Sequence, residues 1–261
     1  MTSVVPASVS AMGEDPRALL TMFRAVEEAV RDALARERDW GPAGTRDGQH
    51  RSDLAADAAA LGVLRRNGLA VVSEESGEHP AGATVVVVDP LDGSTNAARG
   101  VPWFALSLCA VDDAGASAAL VVDLARGTRF EAVRGEGARR DGQPIGPRAC
   151  ERLDDAIVGL SGLPSHHYGW AQYRALGAAA LDLCAVACGV LDGWVDCSVD
   201  AHGPWDYLGG LLVCREAGAV VVDAFDRELV VTEHQARRTP VAGATAPLTA
   251  ALVAHRRRGR S

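Results

Sequence analysis

Apolar side chains recur at helical period from Pro16 onward, at Leu19, Leu20, Phe23, Val26, Val30 and Leu34, which predicts an amphipathic helix to about Arg38. Pro16 suits its first turn, and the small and polar residues through Asp15 predict a flexible lead. Trp40 to His50, rich in Gly, Pro and polar residues, predicts a mobile loop. A second helix is expected over Asp53–Arg66, stopped by Asn67-Gly68. From Leu69 the pattern changes to strands: Leu69–Val72, Val85–Val88, Phe104–Val111, Ala118–Asp123 and Arg129–Arg134. A long antiparallel sheet flanked by the first helices is the simplest assembly of these, with Gly135–Ile145 a hairpin-like turn region. Then come a strand over Ala156–Leu160, a loop over Gly162–Gly169, a helix over Leu176–Val190 and an extended segment over Gly193–Val195. A helix over Trp205–Ala217 and an extended segment over Ala219–Asp223 complete the alternation of an α/β layer. The expectation is one domain from residue 16 on, with an α+β half (about 16–150) and an α/β half (about 151–261).

Charge narrows the function. The chain has 261 residues, 26 basic against 34 acidic, and a net charge of −8, which argues against general affinity for nucleic acid or anionic membrane. All the basic residues other than histidine are arginines, so no side-chain amine exists to form a Schiff base. No apolar run approaches the roughly 20 residues that span a bilayer, and Met1–Gly13 lacks the pattern of a secretory signal. The six cysteines, at 109, 150, 184, 188, 197 and 214, are expected as small buried residues in a reducing cytosol. Cys184 and Cys188 share a helix face, but no histidine pair accompanies them, so zinc is not expected. The run from His255 to Arg258 reads as a solvated helix end.

The chemistry centres on Val85 to Asn96. Four consecutive valines predict a strand buried on both faces, and Pro90 and Gly93 predict that it stops there, leaving Asp89 and Asp92 close together. Two such carboxylates repel unless a cation lies between them, and oxygen-only ligands favour magnesium, manganese or calcium over zinc. The turn also offers the amides of Gly93, Ser94 and Thr95 as an anion-binding nest, so the stretch suggests a phosphate ester as ligand. Glu74, ending a neighbouring strand, is expected at the same rim. Asp206 is either a further member of the cluster or a helix-start residue stabilised by the macrodipole. Asp57 is open between a functional and a solvated-helix reading.

The octet Asp89-Pro90-Leu91-Asp92-Gly93-Ser94-Thr95-Asn96 resembles the signature of the inositol monophosphatase family, within the magnesium-dependent, lithium-sensitive phosphatases. Ser73-Glu74-Glu75-Ser76 is similar to that family's Gly-Glu-Glu-Ser box, with Ser73 for the glycine. Trp205 to Gly210 and Glu216-Ala217-Gly218 resemble its remaining block, with Ala219 for the last glycine, so the resemblance covers nearly all of the chain beyond Arg46. It implies a five-layered αβαβα sandwich and a homodimer. It also implies two magnesium ions, for which manganese can substitute, on Glu74, Asp89, the Leu91 carbonyl, Asp92 and Asp206. A third ion would be held through water by Asp57. Ser94 stands where a family hydroxyl, with Glu74, positions the attacking water. Asp92, Gly93, Ser94 and Asp206 would line the phosphate, and the backbone of Gly177, Ala178 and Ala179 the alcohol, although Ala178 lacks the usual hydroxyl. Asp196 falls where inositol-specific members carry a glutamate, one methylene longer. The interval from Asp196 to Asp206 is longer than the family's, the lead Asp53-Leu54-Ala55-Ala56 lacks a threonine, and a preceding lysine is absent. Arg174 is expected in the pocket or at a subunit contact, and His202 as a loop histidine.

The function implied is magnesium-dependent hydrolysis of a small phosphomonoester, inositol monophosphate-like in the first instance. Histidinol phosphate, a sugar bisphosphate and a 3′-phosphoadenosine nucleotide are the alternative esters. A regulatory protein acting through a partner is the competing class, against which the retention of all four carboxylates stands.

Overall fold

The computed structural model describes residues 15–46 and 48–258, so the expected flexible lead before Asp15 lies outside the described residues. Helix α1 (Pro16–Arg36) is capped by Asp15, whose carboxylate accepts the Arg17 amide at 3.1 Å, and it buries Leu19, Phe23, Val26, Val30 and Leu34. Helix α2 (Arg51–Arg66) starts earlier than the sequence suggests, because the His50 amide donates to Asp53 at 2.7 Å and satisfies the first turn from within. There follow β1 (Ala70–Ser73), β2 (Gly77–His79), β3 (Val85–Asp92), α3 (Ser94–Arg99), β4 (Ala105–Asp112) and β5 (Gly115–Asp123). The first half closes with β6 (Arg129–Val133), β7 (Gly137–Arg140) and β8 (Gln143–Pro144). The second comprises β9 (Ile157–Ser161), β10 (Gln172–Arg174), α4 (Ala179–Ala187), β11 (Gly193–Asp196), α5 (Pro204–Ala217), β12 (Val220–Asp223), β13 (Pro240–Gly243) and α6 (Ala246–Arg258).

An eight-stranded sheet runs in the order β2-β1-β3-β4-β5-β6-β7-β8, and a five-stranded sheet in the order β10-β9-β11-β13-β12. Three apolar cores glue five layers. α1 and α2 cover one face of the large sheet through Phe23, Ala60, Val86, Leu108 and Leu120. α4 and α5 fill the space between the two sheets, and α6 closes the outer face of the small one with Leu248 and Leu252. The middle position explains the composition of α5, which buries Pro204, Trp205 and every residue from Tyr207 to Cys214, leaving no polar stripe. Two glycines let it approach its neighbours: a Cβ on Gly209 would meet Ser107 Oγ at 2.6 Å, and one on Gly210 would meet the Leu183 Cβ at 2.6 Å. Among the described residues no helix is long and apolar enough to cross a membrane.

Several expectations are corrected. The large sheet is mixed, since β1 and β3 run parallel: β2 folds back on the outer edge of β1, and the chain must return to add β3 on the inner side. β3 does not end at Pro90 but continues to Asp92 across a register shift, pairing Asp89 with Ser107 and Asp92 with Ala105, so the proline sits in a bulge that needs no donor. The helix expected over Leu176–Val190 shrinks to Ala179–Ala187, held off by Gly177 at φ +85° and stopped by Gly189 at φ +73°. Only Cys109, Cys184 and Cys214 are buried; Cys150, Cys188 and Cys197 are half-buried, and all six are free thiols. The 40–50 loop is anchored, with Arg46 Nη2 on Glu75 at 2.8 Å and Gln49 on the same carboxylate. At the other end, the run from His255 to Arg258 is only partly solvated, because Arg256 is buried and donates to the Asp196 carbonyl at 2.6 Å.

Candidate active site

Parallel pairing of β1 with β3 sets Ser73 beside Val88, and the Glu74 amide donates to the Val88 carbonyl at 3.2 Å. Glu74 and Asp89 therefore leave the sheet side by side at the carboxyl ends of adjacent strands. The bulge then delivers Asp92. Asp89 Oδ1 accepts the Leu91 amide at 3.0 Å, and Asp92 Oδ2 accepts the Ala180 amide at 2.8 Å at the start of α4. Gly93 turns the chain at φ +81°, where a Cβ would lie 3.1 Å from the Ala178 Cβ and from the carbonyls of Gly177 and Trp103, so any side chain there strains the turn. That contact brings Gly177–Ala179 against the signature. Asp206 arrives from the first turn of α5, accepting the Gly203 amide at 2.7 Å.

The four carboxyls feel one another. Burial, then the charges of Asp206 and Glu75, push Glu74 up to about 8, although a hydrogen bond to Asp89 opposes this. Burial and the neighbouring charges of Glu74, Asp92 and Asp206 hold Asp89 well above the usual carboxylate range, and burial and Asp206 do the same for Asp92. Their charge asks for a cation, and the four carboxyls are all hard oxygen donors. Among the described residues no three His, Cys, Asp or Glu side chains already stand as a metal cage. Three of the carboxylates are instead turned onto backbone amides. This suits an open site in which a hard cation keeps water and takes phosphate oxygens as ligands.

Around this rim the structure brings in groups that the sequence underrated. Ser94 opens α3 near Asp53, a buried carboxylate at the start of α2 whose pKa burial raises and the nearby His50 and Ser94 help to lower. Asp57 is not solvated: it is buried, and Ser73 Oγ donates to its Oδ1 at 2.5 Å while accepting the Glu75 amide at 3.1 Å. The serine that replaces the box's glycine thus ties Asp57 down. Asp196 is fully buried, and His202 is wedged between it and Asp206, with Nε2 3.7 Å from Asp196 Oδ1 and Nδ1 3.4 Å from Asp206 Oδ2. Burial pulls the imidazole pKa down, but the Asp206 hydrogen bond and the charges of Asp206, Asp196 and Asp92 outweigh it and push His202 up to about 9. Arg174 stays apart on exposed β10, turned to the Tyr173 carbonyl and Gln172.

The model of the inositol monophosphatase family matches residues 17–259. The chain belongs to the inositol monophosphatase family. An Archaeoglobus fulgidus protein named fructose-1,6-bisphosphatase/inositol-1-monophosphatase is 34% identical over 224 residues, 80% of this chain and 86% of the relative. A Salmonella typhimurium protein named Nus factor SuhB is 34% identical over 190 residues, 66% of this chain and 70% of its own. In three dimensions, a Pyrococcus horikoshii protein described as similar to inositol-1 monophosphatase superposes with a TM-score of 0.79, at 23% identity, over 92% of this chain and 96% of its own, which shows the shared fold. Membership of the inositol monophosphatase family supports a metal-dependent phosphatase.

Proposed function

We propose that this protein is a magnesium-dependent phosphomonoesterase acting on a small phosphorylated alcohol, inositol monophosphate-like in the first instance. The observation that carries the reading is the convergence of Glu74, Asp89, Asp92 and Asp206 at one rim, where burial and the charge of Asp206 raise the pKa values of Glu74, Asp89 and Asp92. Glu74, Asp89, the Leu91 carbonyl, Asp92 and Asp206 would hold two ions, with manganese able to replace magnesium and a third ion only if Asp57 leaves Ser73. When bound, magnesium supplies positive charge for the phosphate oxygens and makes water acidic enough to attack at neutral pH. Ser94, together with Glu74, would position that water. The amides of Ser94 and Thr95, in the first turn of α3, have no acceptor within the helix and are donors for phosphate oxygens. Asp92 and the backbone of Gly177–Ala179 border the alcohol. No covalent phosphoenzyme is required, because positioning and charge do the work. A homodimer belongs to the same proposal.

Asp92→Asn tests it. The variant is expected to fold and to lose metal-dependent phosphate release by roughly 100-fold or more, the scale on which single electrostatic groups act in such sites. The panel is inositol, histidinol, fructose and nucleotide phosphate esters, assayed with magnesium and with chelator; full activity of the variant overturns the reading. The likeness to a protein named Nus factor SuhB favours a second reading, regulation through a protein partner. Silence of the wild type on every ester, with magnesium still bound, would favour it.

A further inference from the structure

The far wall of the site is made by β9 and β11, parallel neighbours that set Ser161 opposite Asp196 at their carboxyl ends. A carboxylate at such a strand end is the obvious group to meet a substrate hydroxyl. Here it is covered: Asp196 is 0% exposed, its Oδ1 accepts the Ser198 amide at 2.8 Å, and its Oδ2 is buried without a partner. The connection 197–203 carries His202 back over it. The same ring reaches Asp206 Oδ2 through Nδ1 at 3.4 Å and Ser161 Oγ through Nε2 at 3.0 Å, and it packs on Trp194 with ring centroids 5.6 Å apart. Ser161 and His202 are both half-buried, so this pair, and not Asp196, is the part of the wall open to a ligand. Gly162, at φ +75°, follows it and locks the two loops together, since a Cβ there would fall 2.5 Å from Ser198 Oγ.

Nδ1 faces a carboxylate and so carries a proton. Nε2 meets Ser161 either as acceptor or as donor, and in both cases the serine hydroxyl is held in one direction. We propose that the alcohol portion of the substrate is recognised on this wall by the Ser161 hydroxyl, positioned by His202, while Asp196 backs His202 without touching substrate. The substrate class is accordingly a phosphate ester of an alcohol with a further hydroxyl, read by a neutral group. This rests on the phosphatase reading above.

The test compares a polyol ester, inositol 1-phosphate or fructose 1,6-bisphosphate, with p-nitrophenyl phosphate, whose leaving group has no further hydroxyl. Ser161→Ala is expected to raise KM for the polyol ester roughly 3- to 10-fold more than for p-nitrophenyl phosphate, the value of one neutral hydrogen bond, with kcat changed less. His202→Ala should shift the same KM ratio, the double variant should shift it no further, and His202→Gln should recover it. Asp196→Asn should move the ratio less than about 2-fold. Thermal unfolding of each variant separates these effects from misfolding. The inference is overturned if Asp196→Asn carries the larger change in ratio, if Ser161→Ala affects both esters equally, or if the wild type hydrolyses only the nitrophenyl ester. Absence of magnesium-dependent turnover of any ester overturns the phosphatase reading and this inference with it.

Discussion

At the scale of single residues, the site depends on buried carboxyls that have each acquired a specific partner. Asp57 has Ser73, and a hydrogen bond to a buried charged group contributes more than one between neutral groups. Ser73→Ala is therefore expected to lower stability by about 1.5–3 kcal/mol; a chemical denaturation midpoint unchanged from wild type would show that Asp57 does not need the serine. Asp182 is a second case. It lies buried in α4 and accepts Trp103 Nε1 at 2.9 Å and Trp194 Nε1 at 3.0 Å. Burial raises its pKa to about 7 against the two indole donors, which lower it. The folded state therefore holds the proton more tightly than the unfolded chain. The stability tied to that proton is fully present below pH 4 and is lost as pH rises through 7. Asp182→Asn has no such proton to lose. The stability of wild type relative to this variant should fall between pH 4 and 7 and then level off, as read from unfolding at several pH values; a constant difference would refute the assignment.

At the scale of elements, the turn between β3 and α3 sets the geometry. Gly93→Ala would place a Cβ in a left-handed conformation and against three atoms at 3.1 Å. The expected cost is about 1–3 kcal/mol, and phosphate release should fall further than the stability loss explains, because Asp92 and Ser94 move with the turn; retention of full turnover would separate the turn from the site. Most elements were legible in the sequence because their pattern is local. The stripe of α1 and the valines of β3 needed only periodicity. What escaped depends on distant contacts. β10 is fully exposed, and β13 is only Pro-Val-Ala-Gly, four residues beginning with a proline, so neither announces itself in the sequence pattern. α3 is too short to show a period. The parallel pairing of β1 with β3 is a fact of topology that no single segment encodes. In the site, the acidic residues of the signature were legible from their spacing. The tie between Ser73 and Asp57, the contact of Asp53 with Ser94 and the wedge of His202 were not, because each joins residues from separate segments.

At the scale of the whole molecule, the crowding of acidic groups makes a prediction independent of catalysis. Magnesium bound only by the folded state should raise the unfolding temperature with the logarithm of its concentration above its dissociation constant, adding about 2.7 kcal/mol of stability at one hundred times that constant, and Asp92→Asn should abolish most of the increase. A melting temperature indifferent to magnesium would argue against the carboxyls as a metal centre. The effect should weaken as pH falls below 8, where Glu74 keeps its proton and competes with the ion.

The middle helix α5 is held at both ends. Asp206 is fastened to the Gly203 amide, and Glu216 near the far end receives the amides of Gly135 and Gly137, each at 2.9 Å, from the hairpin between β6 and β7. A helix so clamped acts as a gauge bar: its length fixes how far Asp206 stands from the strand ends that carry Glu74 and Asp89. Removing one residue between the clamps would draw the bar in by about 1.5 Å and swing Asp206 by about 100°. The tolerance of this site for insertions and deletions is therefore set by a helix whose residues beyond its first turn need take no part in the chemistry.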